Sequence, residues 1–316
     1  MMMFTIRTAR ACAAAVLLFS ACGGTDQSPR LLPTMGLLDQ YETVILSDGG
    51  VLSKAGQFSM IPASVVAKLQ QPYSELLSIL GQGPINLRDL GSVDFVAVGA
   101  KNFKSSTELG SVKSDLCFVI RSSLLPSFDF RDRGLEAFDI TTDVRIWKMN
   151  RGTDGGAVYY ASRPSREYLL IGNDRVGLVA LTKLLKTPRV ERSEAFDSLT
   201  KLSFWNEMVK SRYWGYRHYR LDSNIESRQA SGALSLGAAV RALSFFINSS
   251  SDSAQVDFVF DRNASNIASV LNSIGPYTFM ELGGGLWRTN VPLKSVDEND
   301  EMMFSLISMF GFGIYL

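Results

Sequence analysis

Two stretches near the middle of the chain decide its fold. Residues 93–98 (VDFVAV) alternate in part between apolar and polar side chains, and residues 116–120 (LCFVI) are apolar throughout. Both are rich in the β-branched and aromatic residues that favour strands. The turn residues Asp89-Leu90-Gly91 come just before the first stretch and mark where its strand begins. The sequence therefore predicts a β-rich core around these two stretches.

Further strand-like and helical segments extend outward in both directions. Strand-like runs are found at 43–46, 144–149, 158–161, 168–171, 212–221, 240–247, 256–260, 277–282 and 286–291. Helical patterns cover 62–69, 73–80, 130–138, 176–185, 193–202, 263–274 and 295–310. The glycines at 283–285 predict a hairpin turn. Short strands with short connections predict an α+β fold with largely antiparallel sheets and helices packed on one side.

The order of these segments suggests an internal duplication. Both 93–185 and 240–310 run from a strand pair through a helix to further strands and a final helix. We therefore expect two degenerate β-β-α-β-β-α repeats, on element order alone. The corresponding units are a first α+β unit at 37–222 and a second at 223–316.

The N-terminus has the pattern of an export signal. Arg7 and Arg10 give it a positive start, and residues 11–19 (ACAAAVLLF) form a short apolar run. A membrane-spanning helix needs about 20 apolar residues, so this run has the length of a signal-peptide core. Residues 1–21 are therefore predicted to be a signal peptide.

The next residues resemble the lipobox of bacterial lipoproteins, in which an apolar and two small residues precede a cysteine. The match is Phe19-Ser20-Ala21-Cys22, with Phe19 where leucine is usual. The resemblance implies cleavage before Cys22 and acyl chains such as palmitate on the new terminus. Two or more chains anchor a protein stably, whereas one does so only marginally. The alternative is an ordinary secreted protein, although secretory cleavage prefers a small residue in place of Phe19.

The residues after Cys22 bear on location. In Gram-negative bacteria an Asp directly after the lipidated cysteine tends to retain a lipoprotein in the inner membrane. Gly23 stands there in this chain, which favours the outer over the inner membrane. Residues 22–36 contain polar and turn-forming residues, which predicts a flexible tether between lipid and body. We therefore expect a lipid-anchored protein of the bacterial cell envelope.

The charge balance excludes one class of partner. Loss of residues 1–21 removes two of the 32 basic residues and none of the 31 acidic ones, which leaves a net charge of −1 (30 against 31). A balanced chain has no electrostatic reason to bind nucleic acid. The hydrophobic content of 46% is typical of a folded globular protein.

The residue types that usually carry out chemistry are scarce. Cys12 lies in the leader and Cys22 would carry lipid, so Cys117 remains, inside an apolar run that predicts a buried core residue. His218 is the only histidine. The usual zinc ligand sets are missing, as are a phosphate-binding glycine motif and a Gly-x-Ser-x-Gly elbow. The sequence predicts no metal, no cofactor and no catalytic residue.

The aromatic run at 212–220 (RYWGYRHYR) is the best candidate for a recognition surface. On a strand, Trp214, Tyr216, His218 and Arg220 would share one face. Tyr, Trp and Arg are favoured at binding hot spots. The alternative is a strand with one face in the core and long polar tips at its edge.

The body also resembles a group of bacterial envelope lipoproteins in which a strand-rich domain of unknown function follows a short tether. Four segments carry the resemblance: 89–96, 158–160, 168–174 and 193–196. It implies a repeated α+β fold and no known activity, and no catalytic residue follows from it.

We therefore expect a non-enzymatic binding or assembly role at the envelope, with the membrane and an envelope protein or polymer as partners. Two alternatives remain open. A hydrolase of envelope polymers would need a cleft with two carboxylates about 5–10 Å apart. A carrier of lipid or another apolar ligand would need a cavity of roughly several hundred Å³.

Overall fold

The structure is a computed structural model of the 316-residue chain. The residues it describes are 28–52, 67, 70–104, 113–123, 125–127, 129–140, 144–149, 158–187, 200, 205, 211–218, 240–247, 253–260, 268, 271 and 277–292.

Within these residues the core of the fold is one antiparallel sheet of twelve strands. In chain order they are β1 (Thr43–Asp48), β2 (Val93–Lys104), β3 (Lys113–Ser122), β4 (Glu136–Ile140), β5 (Arg145–Met149), β6 (Tyr159–Ser162), β7 (Tyr168–Gly172), β8 (Tyr213–His218), β9 (Val240–Ile247), β10 (Ser253–Phe260), β11 (Met280–Gly283) and β12 (Leu286–Pro292). Their spatial order is β11-β12-β10-β9-β8-β1-β2-β3-β7-β6-β5-β4. The predicted α+β class and antiparallel pairing are confirmed.

Strand β3 shows why a continuous apolar run forms a central strand. Leu116, Phe118 and Ile120 lie in a hydrophobic cluster on one face of the sheet. Cys117 and Val119 lie in a second cluster on the other face. A strand buried on both faces needs no alternation of apolar and polar residues.

The two faces are covered by different helices. These are α1 (Ser28–Gln40), α2 (Ser74–Gln82) and α3 (Arg175–Lys186). Helices α1 and α3 pack on the face that holds Cys117, through residues such as Leu37 and Leu178. Helix α2 packs on the opposite face, which holds Phe118. The prediction that the helices lie on one side is therefore wrong, because a sheet that is apolar on both faces needs a layer on each.

Helix α1 shows that the predicted flexible tether is wrong from Ser28 onward. It begins at Ser28, inside the segment 22–36 that was expected to be flexible, and residues 22–27 lie outside the described residues. Leu37 is fully buried against the sheet. At Gly36, an added Cβ would lie 2.6 Å from the side chain of Leu181, so the missing side chain lets α1 pack closely on α3. This packing stabilises a helix that contains Pro33 and Gly36, two residues that disfavour helices.

The sheet is continuous across the predicted boundary at residues 222 and 223. Strand β8, from the first predicted unit, pairs with β1 on one side and with β9, from the second unit, on the other. The two units therefore share one sheet, although residues 219–239 between them are outside the described part of the chain.

Residues 130–138 are not the short helix that their pattern predicts. The Asp129 side chain accepts a hydrogen bond from the amide of Arg131 at 2.9 Å, which starts a turn. Gly134 ends that turn with φ at +72°, a conformation that disfavours residues with a Cβ. Strand β4 then begins at Glu136. Turn chemistry decides the structure here over helical spacing.

The glycine turn near the C-terminus is confirmed. Gly283, Gly284 and Gly285 all have positive φ, at +90°, +65° and +83°, and they join β11 to β12. Most of the predicted helices at 62–69, 193–202 and 263–274, and all of the one at 295–310, lie outside the described residues.

Candidate functional site

Strand β8 carries the residues that were expected to form a recognition surface, and the structure buries two of them. Trp214 is 1% exposed and Tyr216 is 5% exposed. Both belong to the hydrophobic cluster on the α1 and α3 face of the sheet. The two rings share a face, as predicted, but that face is in the core, so they cannot form a surface patch.

The other two residues of this predicted surface have different outcomes. His218 is exposed at the end of β8, and its backbone amide donates to the carbonyl of Glu42 at 2.8 Å. Arg220 lies outside the described residues. Tyr213 lies in the hydrophobic cluster on one face of the sheet, and Trp214 and Tyr216 lie in the cluster on the other. The aromatic residues of β8 are therefore covered on both faces, which alternation along one strand does not reveal.

The predicted lipidation residue Cys22 also lies outside the described residues. The described feature that follows it in the chain is the attachment of α1 to the sheet. Arg30 holds the first turn of this helix. Its guanidinium forms an ion pair with Asp48 at the end of β1 and donates to the Ser211 carbonyl at 3.1 Å. It also lies 5.9 Å from the centre of the Phe95 ring. Burial raises the pKa of Asp48, and Arg30 only partly offsets that effect.

Pro33 creates a local problem in α1 that the sheet solves. A proline has no amide hydrogen, so the carbonyl four residues earlier, that of Pro29, loses its partner within the helix. The Tyr168 hydroxyl at the start of β7 donates to this carbonyl at 2.8 Å. The contact restores the missing hydrogen bond and attaches the first turn of α1 to β7.

A buried polar cluster fastens the other end of α1. Tyr41 follows the helix directly, and its hydroxyl donates to Asp174 Oδ2 at 3.0 Å. Lys101 Nζ on β2 lies 2.7 Å from the same oxygen and 5.1 Å from the centre of the Tyr41 ring. Burial raises the pKa of Asp174, but Lys101, the backbone amide of Gly177 and the Tyr41 hydroxyl together outweigh burial and hold that pKa below its ordinary value. The ionised carboxylate therefore links α1, β2 and the start of α3.

Cys117 lies beside this cluster and is fully buried, as predicted. Burial raises the pKa of its thiol to about 12. Since the thiolate is the nucleophilic form, a thiol with this pKa is unreactive near neutral pH. Cys117 is therefore a core residue.

A second buried carboxylate lies in the other half of the sheet. Asp257 on β10 has a fully buried side chain, and Arg288 Nε on β12 lies 2.7 Å from its Oδ1. Gln255 donates to its Oδ2 at 2.9 Å, and Ser244 on β9 lies 3.4 Å from the same oxygen. Burial raises the pKa of Asp257 despite these partners. This cluster ties three neighbouring strands together inside the sheet.

Among the residues that the structure describes, no three His, Cys, Asp or Glu side chains are grouped to hold a metal ion. In the same part of the chain, no helix combines the length and the apolar character needed to cross a bilayer.

Sequence reasoning missed the residues that fix α1. Arg30 and Asp48 are 18 positions apart, and Tyr41 and Asp174 are 133 apart, so local patterns do not pair them. One signal was present: Leu31, Met35 and Leu38 follow helical spacing within the predicted tether.

The chain has few similarities to known proteins. No protein-family model and no curated protein matches it. Solved structures of TP0453 in crystal forms I, III and IV are similar over 87% of this chain and 97%, 97% and 96% of theirs. Their sequence identities to this chain are 11%, 10% and 9%, and each TM-score is 0.42. Similarity at this level supports no statement about function.

Proposed function

We propose that the protein is a lipid-anchored bacterial envelope lipoprotein with a non-enzymatic binding or assembly role, and that its membrane is the outer membrane in preference to the inner one. The observation that carries the proposal is the lipobox-like Phe19-Ser20-Ala21-Cys22, followed after only five residues by a helix that packs on the sheet. A leader, a modifiable cysteine and a body that begins almost at once form a consistent arrangement.

The short connection determines how far the body stands from the membrane. Six residue steps separate Cys22 from Ser28, the first residue of α1. A fully extended chain of that length spans about 20 Å. The expected 15-residue tether would have allowed a much wider separation. The sheet therefore works close to the bilayer, with α1 as its point of attachment.

The buried polar groups described above have structural surroundings. The Cys117 thiol has a pKa of about 12, and the carboxylates of Asp174 and Asp257 are engaged by Lys101 and Arg288. These contacts are suited to holding helices and strands together. The partner is an envelope protein or polymer held near the membrane surface.

We also propose that the sheet contains two degenerate repeats that meet ahead of β8, instead of at residue 222. Strand order supports this, because β1-β2-β3-β7-β6 and β8-β9-β10-β12-β11 are connected alike on either side of the β1–β8 pairing. In each group, three consecutive strands are followed by a hairpin whose second strand pairs with the third strand. β4 and β5 extend only the first group.

The lipid anchor is tested by mass spectrometry of the N-terminal peptide from protein purified out of its native membrane. The expected peptide begins at Cys22 and carries the added mass of the acyl chains. Cys22→Ser should abolish incorporation of labelled palmitate and leave the leader attached, because cleavage follows lipidation. Cys12→Ser is the matched control in the leader and should incorporate label normally. An unmodified Cys22 in the native protein would refute the proposal.

A further inference from the structure

The start of α1 lies at one particular end of the sheet, called the tether end here. At this end β1 and β3 finish, at Asp48 and Ser122, while β7 and β8 begin. Pro29 and Arg30 both contact it, through Tyr168 and Asp48. Because Cys22 lies only six residue steps before Ser28, a lipid on it would be joined to the body at the tether end.

Five basic residues, called the basic group here, surround the same end. They lie at or near the ends of β5, β6 and α3 that belong to the tether end, and they are Arg145, Arg163, Arg166, Lys183 and Lys186. Strand pairing places Arg145 across from Arg163, because Ile146 pairs with Ser162. Thr182 places the end of α3 here as well, since its hydroxyl lies 3.0 Å from that of Ser162.

The basic group lies largely at the surface, and within it Arg163 donates to the Leu125 carbonyl at 3.0 Å. All of its members are exposed except Arg163, which is partly exposed. Burial lowers the pKa of Arg163, and the nearby positive charge of Arg166 lowers it further, so two like charges lie close together. The acidic Glu167 beside them is engaged by Arg121 at 3.1 Å. Like charges brought together at a surface favour an anionic partner.

The opposite end has a different charge pattern. Glu42 and Asp115 are partly exposed there, and Lys101 is engaged with Asp174. The opposite end thus carries charges of both signs, because Arg175 is exposed and Arg217 is partly exposed there beside Glu42 and Asp115. A lipid anchor and a basic group on the same end both favour contact with an anionic membrane.

We propose that the basic group contacts anionic lipid headgroups of the membrane that holds Cys22, an inference that depends on the proposed lipid anchor. The contact orients the body with the β6–β7 hairpin, residues 163–167, against the headgroups. It leaves the opposite end of the sheet directed away from the membrane, where the start of α3 is open to a partner.

The orientation is tested on the full lipidated protein in vesicles of phosphatidylcholine and phosphatidylglycerol that contain a headgroup-bound quencher. A fluorophore is placed on Ser165→Cys in the hairpin or, as the control position, on Val176→Cys at the opposite end. Val176 is 72% exposed, and the native Cys117 is buried and inaccessible to label. We expect strong quenching at position 165 and little at position 176.

Charge variants then test the cause. K183Q/K186Q should lower the equilibrium constant for contact between the anchored body and the headgroups about fivefold per residue. The reason is that a basic residue near an anionic surface contributes about 1 kcal/mol. R163Q/R166Q should act in the same way. R175Q/R217Q removes equal charge at the opposite end and should leave quenching at position 165 unchanged.

Each outcome has a definite meaning. Equal quenching at the two positions, or equal effects of the variants at the two ends, would overturn the inference while leaving the lipid anchor intact. Loss of the anchor itself appears separately, as a missing acyl mass on Cys22. Persistence of the contact in vesicles of phosphatidylcholine alone would also overturn the role of anionic headgroups.

Discussion

The two ends of α1 are fastened to the sheet by carboxylates that behave in opposite ways. At the first turn, Asp48 pairs with Arg30, yet burial raises the pKa of Asp48. At the far end, Lys101 and the Tyr41 hydroxyl share one oxygen of Asp174, and its pKa is lowered. The difference reflects the balance at each site between burial, which raises the pKa of the carboxyl group, and the donors that reach the carboxylate, which lower it.

This contrast has a functional consequence for the proposed anchor. Lipid on Cys22 would attach to the first turn of α1, the end at which the carboxyl group has a raised pKa. The Tyr168 hydroxyl on the Pro29 carbonyl and the burial of Leu37 supplement that end. The cluster at Asp174 fixes the C-terminal end of α1, at the end of the sheet opposite the tether end.

The largest effect should come from breaking the Asp174 cluster. Lys101→Met leaves a largely buried carboxylate without its cation, so we expect a loss of about 2 kcal/mol in the free energy of unfolding, discounted because Lys101 is partly exposed. Urea denaturation measures it. Lys183→Met, an exposed lysine on α3, is the control and should change stability by less than about 0.5 kcal/mol. Equal losses in the two variants would contradict the strong fastening at Asp174.

A smaller effect should come from the contact between Tyr168 and Pro29. Tyr168→Phe removes the donor to a carbonyl that has no partner within the helix, at a cost of about 1 kcal/mol. In a Pro33→Ala background the alanine amide can bond to that carbonyl, so the same substitution should cost less. A double-mutant cycle by urea denaturation measures the coupling. Additive effects would show that Tyr168 does not compensate for the proline.

The smallest expected effect is on the pH dependence of the free energy of unfolding, and it has opposite signs at the two ends of α1. Asp174 has a lowered pKa, so its contribution is present above its ordinary value of 3.8 and is lost as pH falls through the folded pKa. Asp48 has a raised pKa, so its site loses stability as pH rises from 3.8 through the folded pKa.

The test compares Asp174→Asn and Asp48→Asn with the unmodified protein by urea denaturation over a pH series. Asp174→Asn should lose most relative stability near neutral pH and little in acid. Asp48→Asn should instead gain relative stability as the pH rises, by less than about 1 kcal/mol for a partly exposed pair. Differences of the same sign in both variants would remove the contrast between the ends of α1.

Much of the fold could be read from short stretches of sequence. The run at 116–120 became β3, the glycines at 283–285 became a hairpin turn, and residues 176–185 lie in α3. These structures depend on backbone preferences and on apolar residues only a few positions apart. The apolar residues of these segments can be buried against any apolar partner, so their local structure does not depend on which partner the fold provides.

The candidate site was much less predictable. Trp214 and Tyr216 have a composition suited to recognition, but neighbouring strands and the layers on both faces bury them. Arg30, Lys101 and Asp174 looked like ordinary polar residues in the sequence, yet they fix α1 in the fold. Their importance depends on partners that local spacing does not contain.

What the sequence determined by itself is therefore a lipobox-like start, the positions of most strands and the antiparallel α+β class, because each depends on nearby residues. Only the tertiary structure decided that residues from Ser28 form a helix despite Pro33, that helices cover both faces, and that basic residues gather at the tether end. The physical reason is that burial and charge pairing are set by residues brought together from distant parts of the chain.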